Sequence, residues 1–139
     1  MLKQRVITAL VLLAILLPAL FSARLDDWWG LCVFLMAAGA WEWGRLNAQN
    51  QTVSVLLACL CAFACVMAWD FGLLQAPLRE IWLGLSLLWL IGGAWLLRLG
   101  PAGWGRLPVA LRLPLGLLAL WGTWVAVAQA RAVGSNFLL

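Results

Sequence analysis

The chain has 139 residues, of which 66% are hydrophobic and only 10% are charged, and its formal net charge is +4. A water-soluble domain normally carries about a quarter charged residues, so this composition excludes an ordinary soluble fold. The cations are scattered along the chain instead of gathering on one polar face, which argues against a nucleic-acid partner. About five apolar stretches remain between the charges, each near the ~20 residues that cross a bilayer as a helix. We expect an all-α, polytopic membrane bundle whose main partners are membrane lipids.

The first predicted span covers residues 6–22 and follows two cations, Lys3 and Arg5. A basic start before an apolar run is also typical of a secretory signal peptide. Bulky Phe21 occupies a position where a cleavage site needs a small side chain, so an uncleaved helix is favoured and cleavage stays the alternative. Pro18 predicts a local kink or end of this helix.

The second predicted span covers residues 28–43 and has a pair of tryptophans at each end. Because Trp collects at membrane–water interfaces, we interpret Trp28 and Trp29, and Trp41 and Trp43, as markers of the two bilayer edges. Small side chains recur between them at helical spacing and predict a seam for close helix packing. The seam consists of Gly30, Val33, Ala37, Ala40 and Gly44.

The third predicted span covers residues 53–69, after a polar loop at 47–52, and contains three of the four cysteines. Metal binding is disfavoured, because the chain has no His and the cysteine spacing is not the paired C-x2-C of zinc sites. Buried Cys behaves as a small hydrophobe, so we predict a packing stripe. Its members are Ala58, Cys61, Ala62, Cys65 and Ala68.

The fourth and fifth predicted spans cover residues 81–97 and 113–130, joined by a Gly/Pro-rich turn at 98–106. This turn lacks the Lys-Ser/Thr pair of a phosphate-binding loop, so we interpret it as a connection only. Residues 137–139 are apolar and follow a Gly-Ser-Asn turn, which is typical of the start of another helix. The sequence therefore predicts that the chain is the first part of a longer protein.

Charge counting predicts the orientation. Placing the N-terminus in the cytoplasm puts six cations on the cytoplasmic side and three outside, as the positive-inside rule requires. The inner group is Lys3, Arg5, Arg45, Arg98, Arg106 and Arg112, and the outer group is Arg24, Arg79 and Arg131.

Few residues have the chemistry of a catalytic site. The chain contains no His and no Tyr, which leaves general acid–base and metal catalysis with few candidates. Glu42 is the one acid that we single out, because it lies near the inner end of the second span. Arg45 follows at helical spacing, so we expect an ion pair with a structural role in preference to a catalytic one.

Two segments resemble the bacterial phosphatidate cytidylyltransferases, also called CDP-diacylglycerol synthases. These are the opening decapeptide MLKQRVITAL and the segment AWEWGRL at residues 40–46. The order of the spans also resembles that of the family over nearly the whole chain. The chain corresponds only to the N-terminal half of the family's proteins. The matching residues Glu42, Trp43 and Arg45 would then position other groups and carry no chemistry themselves.

The resemblance implies a nucleotidyltransferase of the bacterial inner membrane that joins CTP to phosphatidate, releasing pyrophosphate and forming CDP-diacylglycerol for phospholipid biosynthesis. It also implies Mg²⁺ and a cytoplasmic site for CTP. The family's catalytic segments, an Asp-bearing span, a Lys/Ser-Pro loop and a late Lys-Asp…His-Gly-Gly segment, are absent from residues 1–139. We therefore expect this chain to be a single N-terminal membrane region with no catalytic or metal-binding residue of its own. CTP would bind only together with the missing half.

A second interpretation is a complete small membrane protein without enzymatic activity, such as a transporter subunit or an assembly partner. The two small-residue seams are compatible with helix contacts between proteins and with a homo-oligomer. Against a transporter, no charge is buried at the middle of a span and no pair of broken helices is evident.

Overall fold

The computed structural model describes residues 2–22, 24–76 and 79–134, and within these ranges all regular structure is helical. Five helices follow one another along the described chain, and no strand occurs in it. They are α1 (Leu2–Phe21), α2 (Leu25–Leu46), α3 (Gln51–Asp70), α4 (Arg79–Trp104) and α5 (Val109–Val133). The all-α prediction is confirmed for these residues, whereas the predicted helix start at 137–139 lies outside them.

Three segments are long and apolar enough to cross a membrane: Gln51–Asp70, Arg79–Arg98 and Val109–Val133. In α1 the apolar part is the shorter Ala9–Phe21. In α2 two acids occupy the first turn and Arg45 the last turn, which lowers its apolar character. The membrane character of the protein thus rests on α3, α4 and α5, and five spans remain a prediction.

Around the Gly/Pro-rich turn, the regular part of α4 ends close to the predicted residue 97. The backbone at Gly100 is non-helical, with φ 64° and ψ −175°, and a short helical segment from Pro101 to Trp104 follows this break. A side chain would disfavour that positive φ, so glycine allows the break. α5 begins at Val109, four residues before the predicted 113, and includes Pro114. The α1 helix likewise continues past Pro18 to Phe21.

The centre of the molecule is formed by α2, α3 and α5, which pack against one another, while α1 packs on α2. α4 lies at the periphery, because no residue in its most apolar window is buried. It approaches α5 near its own start, where Leu85 lies opposite Gly122. Its outward surface carries large apolar side chains, as expected for a helix that faces lipid. Examples are Leu87, Leu90, Ile91 and Trp95.

Small side chains form much of the core, as the two predicted seams require. From α2, Ala40 and Gly44 are buried, and from α3, Cys61, Cys65 and Ala68 are buried. Gly30 departs from the prediction, because it is exposed and a side chain added there would contact nothing. The buried members of the α2 seam are Ala40 and Gly44, and Val33 is partly buried against the core.

The two ends of the bundle are called the Arg131 end and the Asn47 end. At the Arg131 end, Arg131 of α5 lies against the end of α1, and the α3–α4 turn contacts Gln129. At the Asn47 end, the short α2–α3 loop lies beside the start of α5. The charge pattern predicts that the Asn47 end is cytoplasmic.

Candidate functional site

The AWEWGRL segment at residues 40–46 forms the last two turns of α2, at the Asn47 end. Trp43 is half-buried, and its indole Nε1–H donates a hydrogen bond of 3.1 Å to the backbone oxygen of Arg112 on α5. One turn further along α5, Gly116 lies directly beneath the indole, where a Cβ would overlap the ring. Trp43 therefore fits into a notch that only glycine provides.

The same segment also contacts α3. A Cβ added at Gly44 would come within 2.8 Å of the Ser54 hydroxyl and within 3.0 Å of the Ser54 Cα and the Leu57 Cδ1, so the absence of a side chain at Gly44 allows α2 and α3 to approach closely here. Ser54 is fully buried, and its hydroxyl donates to the backbone oxygen of Asn50 at 3.0 Å. The segment thus joins α2 to both other core helices.

Two asparagines close the loop that follows the segment. Asn47 is buried and donates through its side-chain amide to the backbone oxygen of Trp43 at 2.9 Å. Asn50 caps α3, because its side-chain oxygen accepts from the backbone N–H of Val53 at 2.8 Å. The predicted polar loop is therefore shorter than 47–52, since α3 begins at Gln51.

The expected ion pair between Glu42 and Arg45 is not formed. Both side chains are exposed, and the Arg45 guanidinium lies 5.0 Å from the centre of the Trp41 ring, a cation–π geometry. Helical spacing brings Arg45 equally near Trp41 and Glu42, and the flat ring is the partner that it contacts. Glu42, Arg45 and Leu46 line a shallow depression of about 290 Å³.

The residues that the structure describes do not fit the Mg²⁺ that the family resemblance implies. Mg²⁺ is bound through carboxylate and other oxygen ligands in octahedral geometry. Glu42 stands without a second acid in its depression, and nowhere in the described ranges do three His, Cys, Asp or Glu side chains come together.

The other tryptophan pair, predicted to mark the opposite bilayer edge, is buried inside the bundle. Trp28 and Trp29 are 6% and 5% exposed, and Trp29 stacks edge-to-face on Trp69 with ring centres 5.3 Å apart. The Trp29 indole donates to the backbone oxygen of Ala128 at 3.3 Å, and the Trp124 indole donates back to the oxygen of Trp29 at 3.4 Å. These rings lie at one end of α2 but connect α2 to α5.

Two polar side chains of α5 that sequence reasoning did not single out join the helices at the Arg131 end. Arg131 donates to the backbone oxygens of Leu20, at 3.1 Å, and Ser22, at 2.8 Å, and so caps the end of α1. The Gln129 amide donates to the α3–α4 turn at Leu73 and Ala76, both at 3.1 Å. The sequence does contain a signal for both residues, because a polar side chain at the end of an apolar span usually faces protein instead of lipid.

Comparison with protein-family models, with curated proteins and with solved structures finds no match to this chain.

Proposed function

We propose that this chain is the N-terminal membrane portion of a phosphatidate cytidylyltransferase and is inactive by itself. The proposal rests on the AWEWGRL segment, which carries the resemblance and is placed at a junction of three helices. Trp43 is fixed by Gly116 and the Arg112 backbone, and Gly44 is fixed against Ser54. Such a segment is suited to setting the relative positions of helices.

The role that we assign to the three motif residues follows from their surroundings. Trp43 positions α5 against α2, and Arg45 covers Trp41 at the surface. Glu42 is exposed beside Arg45 in a shallow depression, and no second acid among the described residues lines this depression. In the proposed enzyme, the metal ligands and the cationic groups that stabilise the leaving pyrophosphate would come from the part of the protein beyond residue 139.

The activity test compares two proteins in the same detergent and lipid. The purified 139-residue chain is expected to release no pyrophosphate from CTP, phosphatidate and Mg²⁺ above a protein-free control. A product extended by the family's C-terminal half is expected to release pyrophosphate that depends on both substrates. Pyrophosphate release by the 139-residue chain alone would show that the chemistry resides within it, against the proposal.

The alternative is a small non-enzymatic membrane protein that assembles with a partner. The observation that favours it is the peripheral α4, whose apolar surface is not covered by the bundle. Lipid would cover the same surface equally well, so the alternative needs a direct test. Purification of the chain from its native membrane in complex with an unrelated membrane protein, and without any cytidylyltransferase activity, would favour it.

A further inference from the structure

A cavity of about 650 Å³ opens at the Arg131 end of the bundle. It lies between the α3–α4 turn, the first two turns of α4 and the last turns of α5. Its volume falls within the range of ~300–1,000 Å³ that is usual for small-molecule sites. Charged residues begin α4 and end α5, so this end of the bundle belongs at a membrane–water interface.

Most of the surface that lines the cavity is apolar, although three uncharged polar residues, Gln75, Ser86 and Gln129, also line it. Leu74, Trp82, Leu83 and Val133 supply apolar surface, and Arg79 is the cation among the lining residues. The described lining includes no acid that could neutralise Arg79. An exposed guanidinium above an apolar cleft fits a ligand that has an anionic group at one end and hydrocarbon at the other.

Among the uncharged polar residues of the lining, Gln129 is already hydrogen-bonded within the protein. Gln129 donates to the two backbone oxygens of the α3–α4 turn and accepts from the Trp82 indole at 2.8 Å. This network holds α4 and the turn at fixed positions around the cavity. Arg79 is therefore the residue of the lining that can bind an anionic group of a ligand through its charge.

The cavity also extends in the direction that a lipid would occupy. Ser86 lies seven residues after Arg79 on α4, so the lining reaches ~10 Å along the helix from the mouth. Beyond it, exposed Leu87 and Leu90 continue the apolar surface of α4. A phosphate at Arg79 would thus have its acyl chain directed toward the bilayer centre.

We propose that this cavity binds one anionic phospholipid, with its phosphate at Arg79 and an acyl chain along Leu83 and Ser86. The apolar walls favour a lipid over free inorganic phosphate, because phosphate alone would leave them uncovered. The site is distinct from the AWEWGRL segment and lies at the opposite end of the bundle. It does not depend on the proposed enzymatic function.

The test uses the full 139-residue chain in phosphatidylcholine nanodiscs that contain a trace of photoactivatable phosphatidylglycerol, with cross-linked peptides identified by mass spectrometry. We expect labelling of residues 79–86 and 129–133. The substitution Arg79→Gln should lower this labelling about fivefold, the effect of one cation near an anionic lipid surface. Arg24→Gln removes an exposed cation that does not line the cavity, so it should leave the labelling unchanged.

A second pair of variants tests the shape of the site. Ser86→Phe fills the cavity and should abolish labelling there, whereas Leu87→Phe, outside the lining, should not. Equal labelling by a photoactivatable phosphatidylcholine, or an equal loss in Arg24→Gln, would overturn the proposal in favour of unspecific lipid contact. Displacement of the label by inorganic phosphate would overturn it in favour of a free phosphate ligand.

Discussion

Trp43 reaches α5 only because Gly116 has no side chain. The indole covers the glycine and donates to the Arg112 backbone at 3.1 Å, so one ring supplies both packing area and a hydrogen bond between α2 and α5. A partly buried indole N–H needs an acceptor, and the Arg112 backbone oxygen supplies it. The same pairing of indole and carbonyl recurs at Trp121, which donates to the backbone oxygen of Ala64 on α3 at 3.2 Å.

The substitution Gly116→Ala should destabilise the protein, because the added Cβ would overlap the Trp43 ring and force it away from Arg112. We expect a loss of about 1–3 kcal/mol in the free energy of unfolding, the usual cost of overpacking. The measurement is denaturant unfolding in detergent micelles, followed by tryptophan fluorescence. Gly84→Ala is the matched control, since a Cβ at Gly84 meets nothing and should be neutral or mildly stabilising.

A double substitution separates this contact from a general effect on α5. If overlap with the ring causes the loss, Gly116→Ala should cost much less in a Trp43→Phe background, because the smaller ring can move aside. Equal losses in both backgrounds would place the cause elsewhere in α5.

The sequence identified several side chains that join the helices, but it did not predict which groups they contact. The Trp-Glu-Trp motif was recognised, but Arg45 packs on Trp41 and leaves Glu42 unpaired. Helical spacing offers an arginine several neighbours within reach, and the choice among them depends on local geometry. The hydrogen bonds of Trp29 and Trp124 were also not predictable, since their backbone carbonyl partners lie on helices that are distant in the sequence.

Among the helices, α1 is joined to the core at two places. It packs on α2, and Arg131 of α5 caps its end at Leu20 and Ser22. Ser22 also donates to the Asp27 carboxylate at 2.9 Å, which ties the α1–α2 connection to the start of α2. Loss of the cap should therefore loosen α1 before it affects the other helices.

Arg131→Gln removes the guanidinium that satisfies both backbone oxygens at the end of α1. We expect faster hydrogen exchange in the last turn of α1 and little change in α3, because α3 does not contact this cap. Hydrogen–deuterium exchange with peptide-level mass spectrometry measures both. Arg106→Gln, an exposed cation at the other end, is the control. Uniformly faster exchange in α1 and α3 would contradict a local capping role.

The helix positions were largely predictable, because apolar stretches separated by charges and Gly/Pro-rich turns mark where membrane helices begin and end. The regular part of α4 also ends near its predicted boundary, because the non-helical backbone at Gly100 interrupts the helix before Pro101. The peripheral place of α4 was not predictable, since all five stretches are similarly apolar and periodicity alone does not decide which helices form the core.

At the scale of the whole molecule, the charge distribution predicts the orientation in the membrane. In a cysteine-free background, Gln75→Cys in the α3–α4 turn should react with an impermeant maleimide on intact cells. Gln49→Cys in the α2–α3 loop should react only after the membrane is opened. Each cysteine is the control for the other, because α3, which connects the two loops, is long enough to cross the bilayer. Reaction of both on the same side would contradict the predicted topology.

We propose that residues 1–139 form the N-terminal half of a CDP-diacylglycerol synthase. The most direct measurement is the sequence of the native gene downstream of the codon for Leu139, read in all three frames. We expect an open frame that encodes an Asp-bearing span, a Lys/Ser-Pro loop and a terminal Lys-Asp…His-Gly-Gly segment. A stop codon directly after Leu139, with no such segment in any frame, would contradict the claim.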